Sequence, residues 1–546
     1  RLYDGVVVHN FEAVLRIAAG QEVVYVPCHR SHIDYLLLSY VIFKRGLTPP
    51  HIAAGANLNL PVVGPLLRRG GAFFLRRSFK DEPLYAAVFN EYLHLMISRG
   101  FSIEYFIEGT RSRSGRTLSP RTGILGMTVK SYLRSHERPL VFVPVYVGYE
   151  KLIEGKSFLG ELAGRPKQSE SLWNLLGVWR QLKRNFGQVH VNFGRPLPLT
   201  EFLDQLRPGW AQGLPDPEAA WVREATGEAA MELVRRINEA AVVTPINLTA
   251  LALLATPRHT ADEATVLRLV GHYQALLRDA SYGPQVVTCD LPEAEVIAHA
   301  RQLGVIERLP HPLGDLLRVP ESEAALLAYF RNNVLHLVAL PALVACLLAQ
   351  NPRLERGRVE AAVERMHALA RSEFFLRYQD DDVETALDKV VAVLSARGLV
   401  LTRGSELLAP EPNSLEFAEL QLLGQTMRPT LERVLLTLAV LQQHGSGRLS
   451  RRKLEESCHL LAQRLALLYE FNSPEFSDKR LVAGVVANLI AGGLLREDAN
   501  GLLHFDQRIT APAADAELLL AAEVRQTIRR MARVDTASEQ AAATSA

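Results

Sequence analysis

Within the first 200 residues, short apolar runs alternate with helix-like segments, and this alternation restricts the fold more than any other feature. The runs are Glu22–Pro27, His51–Ala54, Ala72–Leu75, Ser102–Ile107, Leu140–Val147 and Val189–Phe193. They are rich in Val, Ile, Phe and Tyr and mostly continuous in apolar character, as strands covered on both faces must be. Ile33–Lys44, Pro83–Arg99 and Gly123–Arg134 have the length and spacing of covering helices. Together they specify an α/β layered domain.

Past residue 215 the strand pattern fades. Ala219–Ala241 is an amphipathic helix by its spacing, and most of the remainder is helical, broken at Pro257, Pro292, Pro310 and Pro341. With 546 residues, about three domains are expected. We expect an α/β domain over 1–215, a mainly helical region over 216–400 and a helical domain over 401–535. The small polar stretch 536–546 is expected to be disordered.

Composition removes several function classes. A net charge of +2 is not that of a chain built to bind nucleic acid. The four cysteines stand far apart, without metal-ligand spacing, which argues for a reducing compartment and against a zinc site or disulfide scaffold. The first residue is Arg1, so the chain is expected to begin inside a longer protein. No run of about twenty apolar residues predicts an ordinary transmembrane helix. Val334–Ala349 and Leu248–Ala255 come nearest. Each is either a buried core helix or a segment in monotopic contact with a bilayer, and sequence leaves both open.

Chemistry concentrates where strands end. Glu22–Pro27 runs into Cys28-His29-Arg30-Ser31-His32-Ile33-Asp34. On one continuous helix, residues five apart point about 140° away from each other. His29 and Asp34 can therefore meet only across a turn. Pro27 ends the strand, and Ser31 is a natural N-cap for a helix beginning near Ile33. Asp34 would then hold one imidazole nitrogen and leave the other free to take a proton. The plainer reading makes Asp34 a helix-start acid and His29 a loop histidine. His32 lacks the five-residue spacing and is read as structural. Cys28 is read as a strand-end packing residue, although a Cys–His covalent mechanism is what it would otherwise support.

Two further strand ends carry cations. Gly71–Arg77 finishes in Arg76 and Arg77, guanidinium groups suited to gripping a phosphate. Glu104–Ile107 opens into Glu108-Gly109-Thr110-Arg111-Ser112-Arg113, where backbone amides and Arg111 can hold an anion. Glu108, among arginines, is expected to stay ionised and to hold Arg111 or accept from a substrate hydroxyl. Pro144, inside Phe142–Tyr149, is expected to shape the wall of a cleft, because proline is disfavoured in strand interiors.

Taken together, VPCHRSHIDYLLL, GAFFLRR, YFIEGTRSRSGR and VPVYVGYE resemble the four blocks of the glycerolipid acyltransferase family, in order. The wider context HVNFGRP, PINLTALALLAT and YFRNNVLHL is similar to the bacterial membrane-associated glycerol-3-phosphate 1-O-acyltransferases of the PlsB type. Thr110 stands where many of those carry glycine, and matches other branches.

The resemblance implies a mixed sheet flanked by helices, with a large helical region following. It implies acyl transfer from acyl-CoA or acyl carrier protein to the sn-1 hydroxyl of glycerol 3-phosphate, with no metal or cofactor. His29 would be the general base and Asp34 its orienter. Arg76 and Arg111 would hold the phosphate, with Arg77 and Arg113 as weaker candidates, and Phe73, Glu108, Gly109, Thr110 and Pro144 would shape the site. It further implies peripheral or monotopic contact with phospholipid on the cytoplasmic face of the bacterial inner membrane. The competing readings are the same chemistry on dihydroxyacetone phosphate or 1-acylglycerol 3-phosphate, and a non-catalytic membrane or acyl-carrier-binding scaffold. A nucleic-acid binder built on the basic loop is disfavoured by the overall charge.

Overall fold

A computed structural model describes residues 3–59, 61, 63–76, 82–135, 138–155, 186–212, 216–378, 380–468 and 479–544. The chain divides into two compact units, one of residues 1–243 with 283–287, the other of 244–282 with 288–546.

The first unit is a mixed α/β structure. Its elements are β1 (Gly5–His9), α1 (Glu12–Ala18), β2 (Glu22–Pro27), α2 (Asp34–Lys44), β3 (His51–Gly55), α3 (Val63–Arg69), β4 (Ala72–Leu75), α4 (Pro83–Ser98), β5 (Ile103–Glu104) and α5 (Gly123–Arg134). They continue with β6 (Leu140–Tyr149), β7 (Gln188–Phe193), β8 (Leu197–Pro198), α6 (Leu199–Leu206) and α7 (Ala220–Glu239). The sheet runs β1-β7-β6-β2-β5-β3-β4, with β8 paired to β6. Strands β6, β2, β5, β3 and β4 are mutually parallel, so their carboxyl ends share one edge. β2 is buried along its whole length, Glu22 included, as the apolar run Val23–Val26 foretold for its interior.

Helices cover both faces. Tyr35 of α2 and Leu67 of α3 pack with Phe74 on the Ile52, Ala54 and Ala72 core. Phe73 points to the opposite face and meets Phe89 and Tyr92 of α4, with centroids 6.2 and 5.6 Å away.

Three expectations need correction in this unit. β5 ends at Glu104 rather than Ile107, because Phe106–Gly109 closes a turn (Gly109 N to Phe106 O, 3.0 Å) that leaves the ladder. The unit continues past 215, since α7 lays its buried face on α5 and β6. Pro144 is buried inside the sheet rather than on a cleft wall. Its carbonyl accepts from Gly194 N at 2.8 Å, so its nitrogen faces the bend between β7 and β8, where no ladder donor is needed.

The second unit is mostly helical and does not divide at 400. Helix Ala339–Gln350 packs against Leu415–Gln425, where the Cys346 thiol donates to the Gly424 carbonyl at 2.9 Å. A Cβ on Gly424 would stand 3.0 Å from the Cys346 nitrogen, so this approach needs a glycine. Both apolar stretches flagged in the sequence are core helices here. Every residue of Pro245–Leu253 and of Leu335–Leu348 is buried. The run Glu321–Gln350 has a mean hydropathy of 1.8 in its most apolar window, and 94% of that window is buried inside the structure. A 3-10 turn at Leu335–Val338 interrupts it, because Pro341 has no N–H to offer Leu337. The last helix runs Ala522–Thr544, so helix replaces most of the disorder expected at 536–546. Alanine, frequent in that stretch, is the strongest helix former.

Candidate functional site

The turn between β2 and α2 brings His29 and Asp34 together. His29 Nδ1 lies 3.0 Å from Asp34 Oδ2. The same oxygen accepts from the backbone N–H of Arg30 (2.7 Å) and Ser31 (2.8 Å). Asp34 Oδ1 accepts from the Tyr149 hydroxyl at the end of β6. Four donors thus converge on one buried carboxylate. The turn is closed by Asp34 and not, as expected, by Ser31, whose hydroxyl donates instead to Glu154, 2.9 Å away.

With Nδ1–H directed at Asp34, His29 Nε2 is left as an acceptor. The ring is stacked on Phe106 at 4.0 Å, and the Tyr35 hydroxyl stands 3.4 Å from Nε2. Burial pushes the imidazole pKa below its ordinary 6.5, Asp34 pulls it up, and Arg111 and Arg113 push it down again. The neutral ring is the form that can take a proton. For a reaction that uses Nε2 as its base, activity is lost on acidification as His29 is protonated, and a lowered pKa moves that loss to lower pH. The acid limb of kcat/KM is expected below pH 6.5. A pH–rate profile checks this. A limb at or above 6.5 that persists in Glu108→Gln would remove the depressed imidazole as its cause.

That control matters because Glu108 titrates nearby. Burial pushes its carboxyl up to about 7, against Arg30 and two backbone donors. Permanent ionisation was expected, and desolvation is the reason it is not reached. Its partners also differ from expectation. Its oxygens accept from His29 N and Leu118 N, both at 2.9 Å, so it ties the β2–α2 turn to the glycine-rich loop. Glu104, beneath it in β5, is fully buried with neither oxygen hydrogen-bonded. Burial first, and then the nearby Asp34, push its pKa well above the usual carboxylate range, which favours the protonated form.

Arg111 is buried beside the dyad, with Nη1 3.8 Å from Glu154. Arg113 donates to the Arg111 carbonyl at 3.0 Å and is half-buried. Gly109 sits at φ +65°, a conformation that suits glycine, and exposed Thr110 follows it at the mouth of the loop. Arg76 is not gathered with them. It lies at the end of β4, three strands from β2, exposed, paired with Glu82 and over the Tyr85 ring at 4.8 Å. Arg77 lies outside the described residues. Phe73 is a packing residue against α4. The Cys28 thiol is fully buried, its sulfur accepts from Val147 N at 3.2 Å, and burial raises its pKa to about 11, so it is no ready nucleophile.

Several residues at the site had no individual signal in the sequence. Arg30 is buried, donates to the Gly115 carbonyl and lies 5.8 Å from the Tyr146 ring centroid. Glu154 holds Ser31, His32 N and Arg111 together. Tyr149 anchors Asp34. Only Arg30 and Tyr149 fall within recognisable motifs.

A family described as "Glycerol-3-phosphate acyltransferase C-terminal region" matches residues 158–498, and one described as "Acyltransferase" matches 5–148. The "Glycerol-3-phosphate acyltransferase" of Ectopseudomonas mendocina (strain ymp) is 45% identical over 545 residues, covering 99% of this chain and 66% of the relative. That of Pseudomonas fluorescens (strain SBW25) is 45% identical over 546 residues, covering 99% and 65%. The chain thus spans just under two thirds of the length of these curated relatives. Among solved structures, the 1-acyl-sn-glycerophosphate acyltransferase PlsC from Thermotoga maritima is similar at 21% identity, covering 42% of this chain and 72% of its own, with a TM-score of 0.23.

Proposed function

The chain belongs to the glycerol-3-phosphate acyltransferase family, and from that premise we propose that it moves a fatty acyl group from a thioester to the sn-1 hydroxyl of glycerol 3-phosphate, giving 1-acylglycerol 3-phosphate. The observation that carries this reading is the buried His29–Asp34 pair at the carboxyl edge of the parallel strands, with Nε2 available as base. Ligands in open α/β sheets bind outside that edge.

The steps follow from what the residues hold. His29 Nε2 removes the proton of the sn-1 hydroxyl. The oxygen attacks the thioester carbonyl, and a tetrahedral oxyanion forms. Its collapse breaks the C–S bond, and the imidazolium returns the proton to the leaving thiolate. Asp34 stabilises the imidazolium between these two transfers. Arg111 and Arg113 hold the phosphate, and Arg76, exposed at the end of β4 and paired with Glu82, is not placed to join them. No metal or cofactor enters these steps. The donor is acyl-CoA or acyl carrier protein, and the product's apolar chain leaves into phospholipid at the cytoplasmic face of an inner membrane.

Acyl transfer to radiolabelled glycerol 3-phosphate, run beside dihydroxyacetone phosphate and 1-acylglycerol 3-phosphate, tests this. We expect lysophosphatidate from the first acceptor and at least ~10-fold lower kcat/KM on the other two, since dihydroxyacetone phosphate carries a carbonyl in place of the sn-2 hydroxyl and 1-acylglycerol 3-phosphate already has its sn-1 hydroxyl esterified. Higher kcat/KM on either alternative would reassign the acceptor. No product from any of them, with the full-length protein folded, would leave a binding scaffold as the reading.

A further inference from the structure

We propose that the face of the first unit formed by α2 and α3 is a docking surface for an anionic phospholipid bilayer, a proposal resting on the membrane partner named above. Residues 35–80 contain no Asp or Glu, although acids make up 59 of the 546 residues. The same stretch carries Lys44, Arg45, Arg68, Arg69, Arg76, Arg77 and Lys80. A chain with a net charge of only +2 therefore concentrates basic residues in one segment, of which Arg76 pairs with Glu82 beyond it while Lys44, Arg45, Arg68 and Arg69 belong to α2 and α3 or their ends.

The apolar side chains there are exposed. Leu36, Tyr40 and Phe43 are 61%, 51% and 65% exposed, and Leu66 of α3 is 68% exposed. Leu36, Tyr40 and Phe43 recur at i, i+4 and i+7, one stripe of α2, while Leu37, Leu38, Val41 and Ile42 are buried. α2 and α3 cover the same face, because Tyr35 and Leu67 reach one core cluster. Lys44 stands 5.9 Å from the Tyr40 ring centroid, and Arg68 stands 5.2 Å from that of Phe74. Long cationic stems beside aromatic rings suit the headgroup boundary, where the ring sits in acyl chain and the charge in phosphate.

Other occupants fit less well. A second copy meeting this face symmetrically would bring like charge onto like charge without an acid to relieve it. An acidic soluble protein would satisfy the cations but leave no reason for four large apolar side chains at full display. α4 supplies a contrast. Its Leu84, Val88, Tyr92 and Leu95 are also exposed, but Glu82 and Glu91 stand among them. The α2 surface also begins at Asp34, so a bilayer seated there adjoins the dyad.

The test is co-sedimentation of the full-length protein with phosphatidylcholine vesicles, with and without phosphatidylglycerol. Tyr40→Glu/Phe43→Glu and Lys44→Glu/Arg68→Glu are each expected to weaken binding to the anionic vesicles at least ~10-fold, since one basic side chain near such a surface contributes about fivefold. Val88→Glu/Leu95→Glu on α4 should leave binding within about twofold. Transfer from a short, water-soluble acyl thioester, measured without vesicles, should be unchanged in all three. Unchanged vesicle binding in the α2 and α3 variants would overturn the proposal. So would an equal loss in the α4 variant, competition by an acidic carrier protein, or a wild-type oligomer that these variants dissolve. Vesicle binding as described from a protein with no transferase activity would sink the acyltransfer reading and leave the docking surface standing.

Discussion

His29→Ala is expected to lower kcat/KM for acyl transfer by ~10²–10⁴-fold, the range a positioned general base supplies. The ring stacks on Phe106 and is 6% exposed, so its removal also leaves a small void. That void should cost about 1–3 kcal/mol, enough to lower the melting temperature without unfolding the unit. Thermal melting by circular dichroism, read beside the rate, separates the two effects. Cys28→Ala is the matched control. With a pKa of about 11, the thiol is ionised in roughly one molecule in 10⁴ at pH 7. A covalent sulfur mechanism would start from that fraction, so Cys28→Ala should keep activity within a few-fold. A dead Cys28→Ala beside an active His29→Ala would reverse the assignment and make the sulfur the nucleophile.

How much of this could be read from the chain depends on sequence distance. His29 and Asp34 are five apart, and their meeting follows from a proline, a turn and a helix start lying between them. Tyr149 and Glu154 reach the same turn from 115 and 123 residues away. Placing them needs the order β6-β2-β5, which strand-like composition does not contain. Strand identities were legible because short runs rich in Val, Tyr and Phe, such as Val23–Val26, are the length of a doubly covered strand and too short for a helix. β5 was overestimated for the same reason: Phe106 and Ile107 are as apolar as a strand, yet the chain turns aside after Glu104 and Phe106 stacks on His29. Ala220–Glu239 showed an apolar face in the sequence, but not that β6 and α5 cover it, so the unit boundary fell short. Pro245–Leu254 and Ala339–Gln350 are apolar all round. Hydrophobicity alone does not distinguish lipid from the interior of a large helical unit.

Asp34→Asn is the sharper test, because it changes charge while keeping shape. Asp34 Oδ2 accepts from His29 Nδ1, Arg30 N and Ser31 N, and Oδ1 accepts from Tyr149. An amide offers one acceptor oxygen and one NH2 donor. With its oxygen on the three-donor side, only the Tyr149 hydroxyl must turn to accept. The opposite orientation would set three donors against a fourth, so the first is the one adopted. The turn therefore survives, and the stability loss should stay within about 1–3 kcal/mol. The charge is lost outright. At an effective dielectric of about 20, a carboxylate about 4 Å from an imidazolium contributes ~4 kcal/mol, or roughly 10³-fold in rate. We therefore expect the kcat plateau to fall by about that factor in a protein that melts almost normally. Asp34 also raises the His29 pKa, so its neutral replacement should move the acid limb still lower. Asp34→Ala differs in kind. It leaves two buried backbone donors and the Tyr149 hydroxyl without an acceptor, at about 1–3 kcal/mol each, and should lower the melting temperature visibly. If Asp34→Asn instead kept the full plateau while Asp34→Ala unfolded, Asp34 would be a turn-closing residue only, and His29 would act as a base without an orienter.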